Sequence, residues 1–255
     1  MSSIKLFKKV ILRGTLHVRS GLHIGAGQDR AEIGGLDNPV VRVLLKNNTP
    51  YVPGSSLKGK IRSLLEQAYG VDCLEKPSEG KKHNEDGSCP ICQVFGGSTA
   101  SKNSHASRIV FRDAYLSAKS EALLRDAPTD LPYTEVKAET AIDRLSGQAR
   151  DGTLRSTERV PAGAEFDVEI VVNVYEGGAH EPSEDMLRNW LKAGIDFLNH
   201  DYLGGSGSRG YGHVELSISD VEVWKVSREE AAVTFQKEAE LGAWETLKEK
   251  AAASA

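Results

Sequence analysis

Three groups of residues in this 255-residue chain have types and spacings suited to chemistry, and two of them fall within residues 20–62. That stretch reads SGLHIGAGQDRAEIGGLDNPVVRVLLKNNTPYVPGSSLKGKIR. A Gly-rich loop carries the lone His23, and Gly21, Gly25 and Gly27 can take positive φ and bring backbone N–H groups close to a ligand. Further on, Gly54, Ser55 and Ser56 open a helix whose first N–H groups lack partners, with Lys58 and Lys60 as point charges beside them. These pieces suit a polyanion. Between residues 34 and 42 the single carboxylate is Asp37, the candidate for chemistry.

One carboxylate cannot run a paired-carboxylate hydrolysis. It suffices for RNA, whose own 2′-hydroxyl is the nucleophile: the protein must align that hydroxyl with the phosphorus and supply a group that takes a proton or holds a divalent ion. The plain alternative is an Asx-turn before Pro39. His23, in turn, can simply bond the backbone. The 54–60 loop resembles a nucleotide-phosphate loop, but Ile61 stands where Ser or Thr would hold magnesium, which argues against an NTPase. A second Gly-rich run, residues 204–212, follows a helix and precedes a strand, the reverse of a dinucleotide fingerprint. Its candidate role is close backbone approach to another phosphate, with Arg209 beside it; the alternative is a helix stop and a turn.

The third group is Cys89-Pro-Ile-Cys92, with Cys73 and His83 upstream in a polar insertion. This spacing suits a closed Cys3His zinc (Zn2+) site with a structural role. Three unrelated thiols or a redox pair are the alternatives.

Composition sets the class. The chain is 39% hydrophobic and 27% charged with a formal charge of −4, an ordinary globular protein rather than a disordered one. No apolar run is long enough to span a bilayer and the N-terminus lacks a signal-peptide pattern, so a cytoplasmic protein with no membrane partner is expected. Net charge argues mildly against a general nucleic-acid binder, yet Lys5, Lys8, Lys9, Arg13 and Arg19 come with no acid among them.

The elements that must position these groups follow from periodicity. Residues 4–18 alternate as a half-buried strand; 39–45 and 50–53 read as extended pieces around an Asn47-Asn48 turn. A helix follows, capped by Ser55 or Ser56, with Leu57, Ile61, Leu64, Leu65 and Ala68 on one side and Gly70 at its end. Residues 107–116 read as a strand and 121–125 as a helical turn. Residues 134–159 form an exposed hairpin or connector dotted with Arg and Lys, with turn candidates at Ser146-Gly147 and Asp151-Gly152. A strand at 160–175, a helix capped by Ser183, a strand at 213–226 and a charged helical tail from Arg228 complete two β-α-β units.

Leu22-His-Ile-Gly25, Ile33-Gly-Gly-Leu-Asp-Asn-Pro-Val-Val-Arg42, Pro53-Gly-Ser-Ser-Leu-Lys-Gly-Lys60, Phe95-Gly-Gly97, Ala141-Ile-Asp-Arg144 and residues 204–212 together resemble a known family. It is that of the RAMP-superfamily backbone subunits of type III CRISPR interference complexes, of the Csm (type III-A) kind. The resemblance covers about residues 4–226. It implies an α+β fold: a ferredoxin-like (RRM-like) RAMP palm over residues 1–227, with an inserted zinc-bearing lid at about 70–105 and a thumb hairpin at about 134–160. Residues 228–255 form a tail outside it. The implied activity is endoribonuclease cleavage of bound target RNA, dependent on Mg2+ or another divalent ion. The chain would coat a guide CRISPR RNA head to tail with copies of itself, beside other subunits of the complex. Asp37 takes the catalytic place. His23, Gly25, Ser55, Ser56, Lys58, Lys60, Arg144, Gly207 and Arg209 take RNA-binding ones, and Cys73, His83, Cys89 and Cys92 those of the zinc ligands. The hairpin becomes a thumb that splays one target nucleotide beside Asp37 of a neighbour. The same fold as a non-catalytic RNA-binding scaffold is the alternative.

Overall fold

A computed structural model of the chain describes residues 4–26, 38–70, 89–97, 106–177, 181–229 and 232–241. In chain order the strands are β1 (Lys5–Val18), β2 (Arg42–Val43), β3 (Thr49–Val52), β4 (Ile109–Phe111), β5 (Ala114–Leu116), β6 (Glu135–Glu139), β7 (Arg155–Arg159), β8 (Glu165–Glu176), β9 (Val214–Glu229) and β10 (Ala232–Leu241). The helices are α1 (Gly54–Tyr69), α2 (Pro90–Phe95), α3 (Ala118–Asp126) and α4 (Glu184–Asn199).

Alternation makes the central strand. In β1, Val10, Leu12, Leu16 and Val18 are buried, while the intervening Arg13 and His17 meet charged partners on the opposite face. Strands β8 and β9 flank β1 antiparallel, so that Leu12 lies opposite both Ile170 and Val221. The sheet order is β10-β9-β1-β8-β5-β3-β2, with β4 also paired to β8. Within it, β9-β1-β8-β4/β5 reproduces the 4-1-3-2 order of the ferredoxin-like βαββαβ unit. Helices α1 and α4 pack on each other and on the apolar face through Leu57, Ile61, Leu65, Leu187, Leu191 and Leu198, each worth about 1.5–3 kcal/mol when fully buried. Ser183 accepts from Met186 N, the cap expected from the sequence, and Glu184 and Asp185 complement the helix dipole. The separate two-stranded sheet β6-β7 is the hairpin.

Several expectations change in detail. Helix α1 begins after Pro53 without a side-chain cap, so Ser55 and Ser56 lie inside its first turn. Gly54 is required there by close approach: a Cβ would overlap the main chain of Phe111. The strand expected at 39–45 shrinks to two residues, because the chain turns at once through Asn47 and Asn48, both at positive φ. The strand expected at 107–116 divides into β4 and β5. Part of the cysteine insertion is not a polar loop: α2 buries Ile91, Val94 and Phe95 in the main core. The start of the tail is β10, not a helix; its pairing with β9 and the Trp224–Phe235 stack at 5.0 Å override the helix propensity of its Glu, Lys and Ala.

Candidate nucleic-acid interface

The loop after β1 is held from three sides. On one, Leu22 and Val160 exchange backbone hydrogen bonds at 2.9 and 2.8 Å, fixing the loop to the end of the hairpin. On the second, Gly205 N donates to His23 O at 2.9 Å and Gly212 N to Gly21 O at 3.0 Å. Gly204 has φ +80, and a Cβ there would overlap His23 O, so the 204–212 run is glycine-rich for close contact with this loop. On the third, Ala26 N donates to Pro39 O at 3.1 Å and Val41 N to Ile24 O at 2.9 Å. Residues 20–26, the second Gly-rich run, the hairpin base and the segment from Asn38 therefore form one surface.

His23 is oriented rather than free to rotate: its Nδ1 bonds Glu158 O at 2.7 Å, so Nε2 is the nitrogen left for a ligand. Gly25 bridges Val40. Gly21 and Gly25 do not take positive φ; close packing explains Gly21, where a Cβ would meet Arg159. Gly207 seats the ring of Tyr202, and Lys60 lies over that ring at 3.7 Å while pairing with Asp201 at 3.0 Å. Lys60 thus joins α1 to the second Gly-rich run. Lys58 leans elsewhere, donating to Ser107 Oγ at 2.8 Å. Burial, with Arg62 adding, pushes its ammonium below the usual lysine range. Ser55 is exposed on the first turn of α1 and Ser56 half-buried. Arg144 is exposed in the part of the hairpin between β6 and β7.

Arg209 reaches Glu139 of β6 at 3.9 Å, tying the Gly-rich run to the hairpin. Beneath lies Tyr211, buried under Lys137 at 4.4 Å and Arg159 at 5.3 Å. Its hydroxyl is near Glu139 and Thr157 without a well-formed bond to either, and burial followed by the Glu139 carboxylate pushes the phenol up. Burial works against ionised Glu139, but Tyr211, Lys137 and Arg155 together hold it below the usual carboxylate range.

The sequence did not single out Glu158. Its carboxylate is 2% exposed and accepts from Val40 N at 2.7 Å, Thr134 Oγ1 at 2.6 Å and Arg42 Nη2. No periodicity marks it, since it sits among charged residues of a hairpin strand and its partners are over a hundred positions away in the case of Val40 and Arg42, at separations of 118 and 116.

Asp37, Cys73 and His83 lie outside the described residues, as does the tail beyond Leu241. Cys89 caps α2 and Cys92 is buried one turn on, with Arg62 Nη2 donating to its sulfur at 3.6 Å. The two thiols lie three positions apart, a spacing that suits two ligands of one metal. Among the described residues no three ligating side chains converge. No described helix is long and apolar enough to cross a membrane.

A family model described as the RAMP superfamily matches residues 15–215, and the chain belongs to that superfamily. Its curated relatives share one description, "CRISPR system Cms endoribonuclease Csm3". The relative from Methanocaldococcus jannaschii is 39% identical over 85% of this chain and 82% of its own. That from Mycobacterium tuberculosis is 40% identical over 83% and 87%, and that from Streptococcus thermophilus 38% identical over 82% and 87%. A chain of the crystal structure described as the Csm3-Csm4 subcomplex in the type III-A CRISPR-Cas interference complex superposes with TM-score 0.50 at 26% identity, covering 96% of both chains.

Proposed function

We propose that this chain is the endoribonuclease backbone subunit of a type III-A CRISPR complex. It coats a guide RNA head to tail with copies of itself and cleaves the paired target RNA. The observation that carries this reading is the joining of His23, the 204–212 run, the hairpin base and the segment that follows Asp37 into one surface. Backbone N–H groups, His23 Nε2 and the cations Arg209 and Lys58 supply sequence-independent contacts to a guide backbone. The hairpin is the thumb that interrupts the duplex.

Cleavage then needs little from the protein. The target's 2′-hydroxyl oxygen bonds to the adjacent phosphorus as the bond to the 5′-oxygen breaks and that oxygen takes a proton from water, leaving a cyclic phosphate and a 5′-hydroxyl. Asp37 takes the proton of the attacking hydroxyl or holds the divalent ion. That ion, when bound, stabilises charge on the phosphoryl oxygens. A zinc ion held by Cys73, His83, Cys89 and Cys92 would have a structural part only. The scaffold alternative is disfavoured by the shared endoribonuclease description of the relatives. A cytoplasmic location belongs to the same proposal.

The test compares the assembled complex with its Asp37→Ala form in magnesium, with target affinity measured alongside. We expect cleavage to disappear while binding holds. Cleavage persisting in Asp37→Ala would leave the chain a scaffold and place the nuclease in another subunit.

A further inference from the structure

Glu158 is a buried carboxylate with an unusual set of attachments. Through its side chain it binds the N–H of Val40, the guanidinium of Arg42 and the hydroxyl of Thr134. Through its main chain it donates to Asn38 O at 3.1 Å and accepts from His23 Nδ1 at 2.7 Å. One residue of β7 therefore grips residues 38–42 at three points and His23 at a fourth. Arg42 extends the grip, reaching Asn48 O at 2.8 Å, Pro132 O at 3.2 Å and Thr134 Oγ1 at 2.7 Å.

Such an arrangement is more than filler. A buried ion pair adds little stability over apolar side chains of the same volume, so stability alone is a weak reason to put one here. It does impose geometry. A carboxylate only accepts, and here three donors from two segments, residues 38–42 and Thr134, converge on its two oxygens, so that the donors can be satisfied together in this position. Asn38, whose carbonyl is fixed by Glu158 N, is bonded directly to Asp37. The anchored segment thus begins at the residue next to Asp37 in the chain.

We propose that Glu158, with Arg42 and Thr134, is a positioning group for RNA cleavage: it holds residues 38–42, the segment next to Asp37 in the chain, against His23 and the base of the thumb. The inference rests on Asp37 being the catalytic group. It assigns the thumb strand a part in chemistry besides its contact with the duplex, because the strand that returns from the thumb also holds residues 38–42. Misplacement by about 1 Å is enough to cost on the order of a hundredfold in rate.

The experiment uses complete complexes carrying Glu158→Gln, Thr134→Val or Asp37→Ala in this chain. It measures guide loading, target affinity, melting temperature, the single-turnover cleavage rate and the magnesium concentration at half-maximal rate. In Glu158→Gln an amide –NH2 replaces one acceptor and faces donors. We expect a cleavage rate about ten to a hundredfold lower and a raised magnesium midpoint, with target affinity unchanged. Thr134→Val, nearly the same shape without the hydroxyl, should lose about fivefold. A purely structural role would lower the melting temperature and leave rate and magnesium midpoint in place. Parental rates in both variants, with Asp37→Ala inactive, overturn the positioning role alone; should Glu158→Gln fail to assemble, Thr134→Val decides. Cleavage by Asp37→Ala would instead remove the parent reading, and the positioning role with it.

Discussion

The two lysines that follow the Pro-Gly-Ser-Ser turn bring the same charge into different surroundings. Lys60 is already neutralised by Asp201 and covers Tyr202. Lys58 has no carboxylate partner among the described residues; it rests on a hydroxyl, and burial followed by Arg62 weakens its hold on its proton. A phosphate would relieve both effects, which makes Lys58 the better candidate for a guide contact. We expect Lys58→Ala to weaken guide binding and to reduce the slope of log affinity against log salt by about one, and Lys60→Ala to change it less. An unchanged slope in Lys58→Ala, measured by titration at several salt concentrations, would remove the phosphate role from this loop. The roles of these lysines were suggested by composition and spacing, but their difference was not. It depends on Asp201 and Ser107, which only folding brings near.

At the scale of elements, what was legible had a strong local cause. Helix α4 announced itself by its Ser183 cap, its acidic first turn and its apolar stripe, and β1 and β8 by alternation. The hairpin's turns were marked by Gly147 and Gly152, both at positive φ. What was not legible is set by long-range pairing: β10 exists because β9 offers it an edge, and Glu158 is buried because residues 38–42 fold onto β7. Helix α2 sits between these cases. Its cysteine spacing was plain, but its apolar residues join the core, and Arg62 of α1 holds it through Gly96 O at 2.9 Å and the Cys92 sulfur. A metal there would stabilise the palm as well as the insertion. We expect about one zinc per chain by elemental analysis, with Cys89→Ser lowering both zinc content and melting temperature. A zinc-free chain that melts and assembles normally would count against the site.

For the molecule as a whole, the sheet has two faces with different chemistry, and only one is packed by α1 and α4. The other carries ion pairs across its strands. Arg13 of β1 meets Glu169 of β8 at 3.2 Å and Asp220 and Glu222 of β9 at 3.4 and 3.0 Å, while Lys237 of β10 reaches Glu222 at 2.9 Å. Where an RNA-binding sheet of this topology would present aromatic platforms, these side chains are engaged with one another, which on the proposed function would leave RNA contact to the loops at the sheet's end. Glu222 is the centre of the row. Hydrogen bonds from Arg13, then Lys237 and the Trp224 indole, hold its carboxyl at about 2, down from an ordinary 4.5. A depressed carboxyl binds its proton later in the folded state than in the unfolded one. Its contribution is therefore complete above about pH 4.5 and is lost as pH falls toward about 2. Melting curves of the chain and of Glu222→Gln, taken across this range, should differ most near neutrality and converge at the acid end. A gap that stays constant with pH would mean that Glu222 acts through packing, and that the charge row does not join β10 to the rest of the sheet.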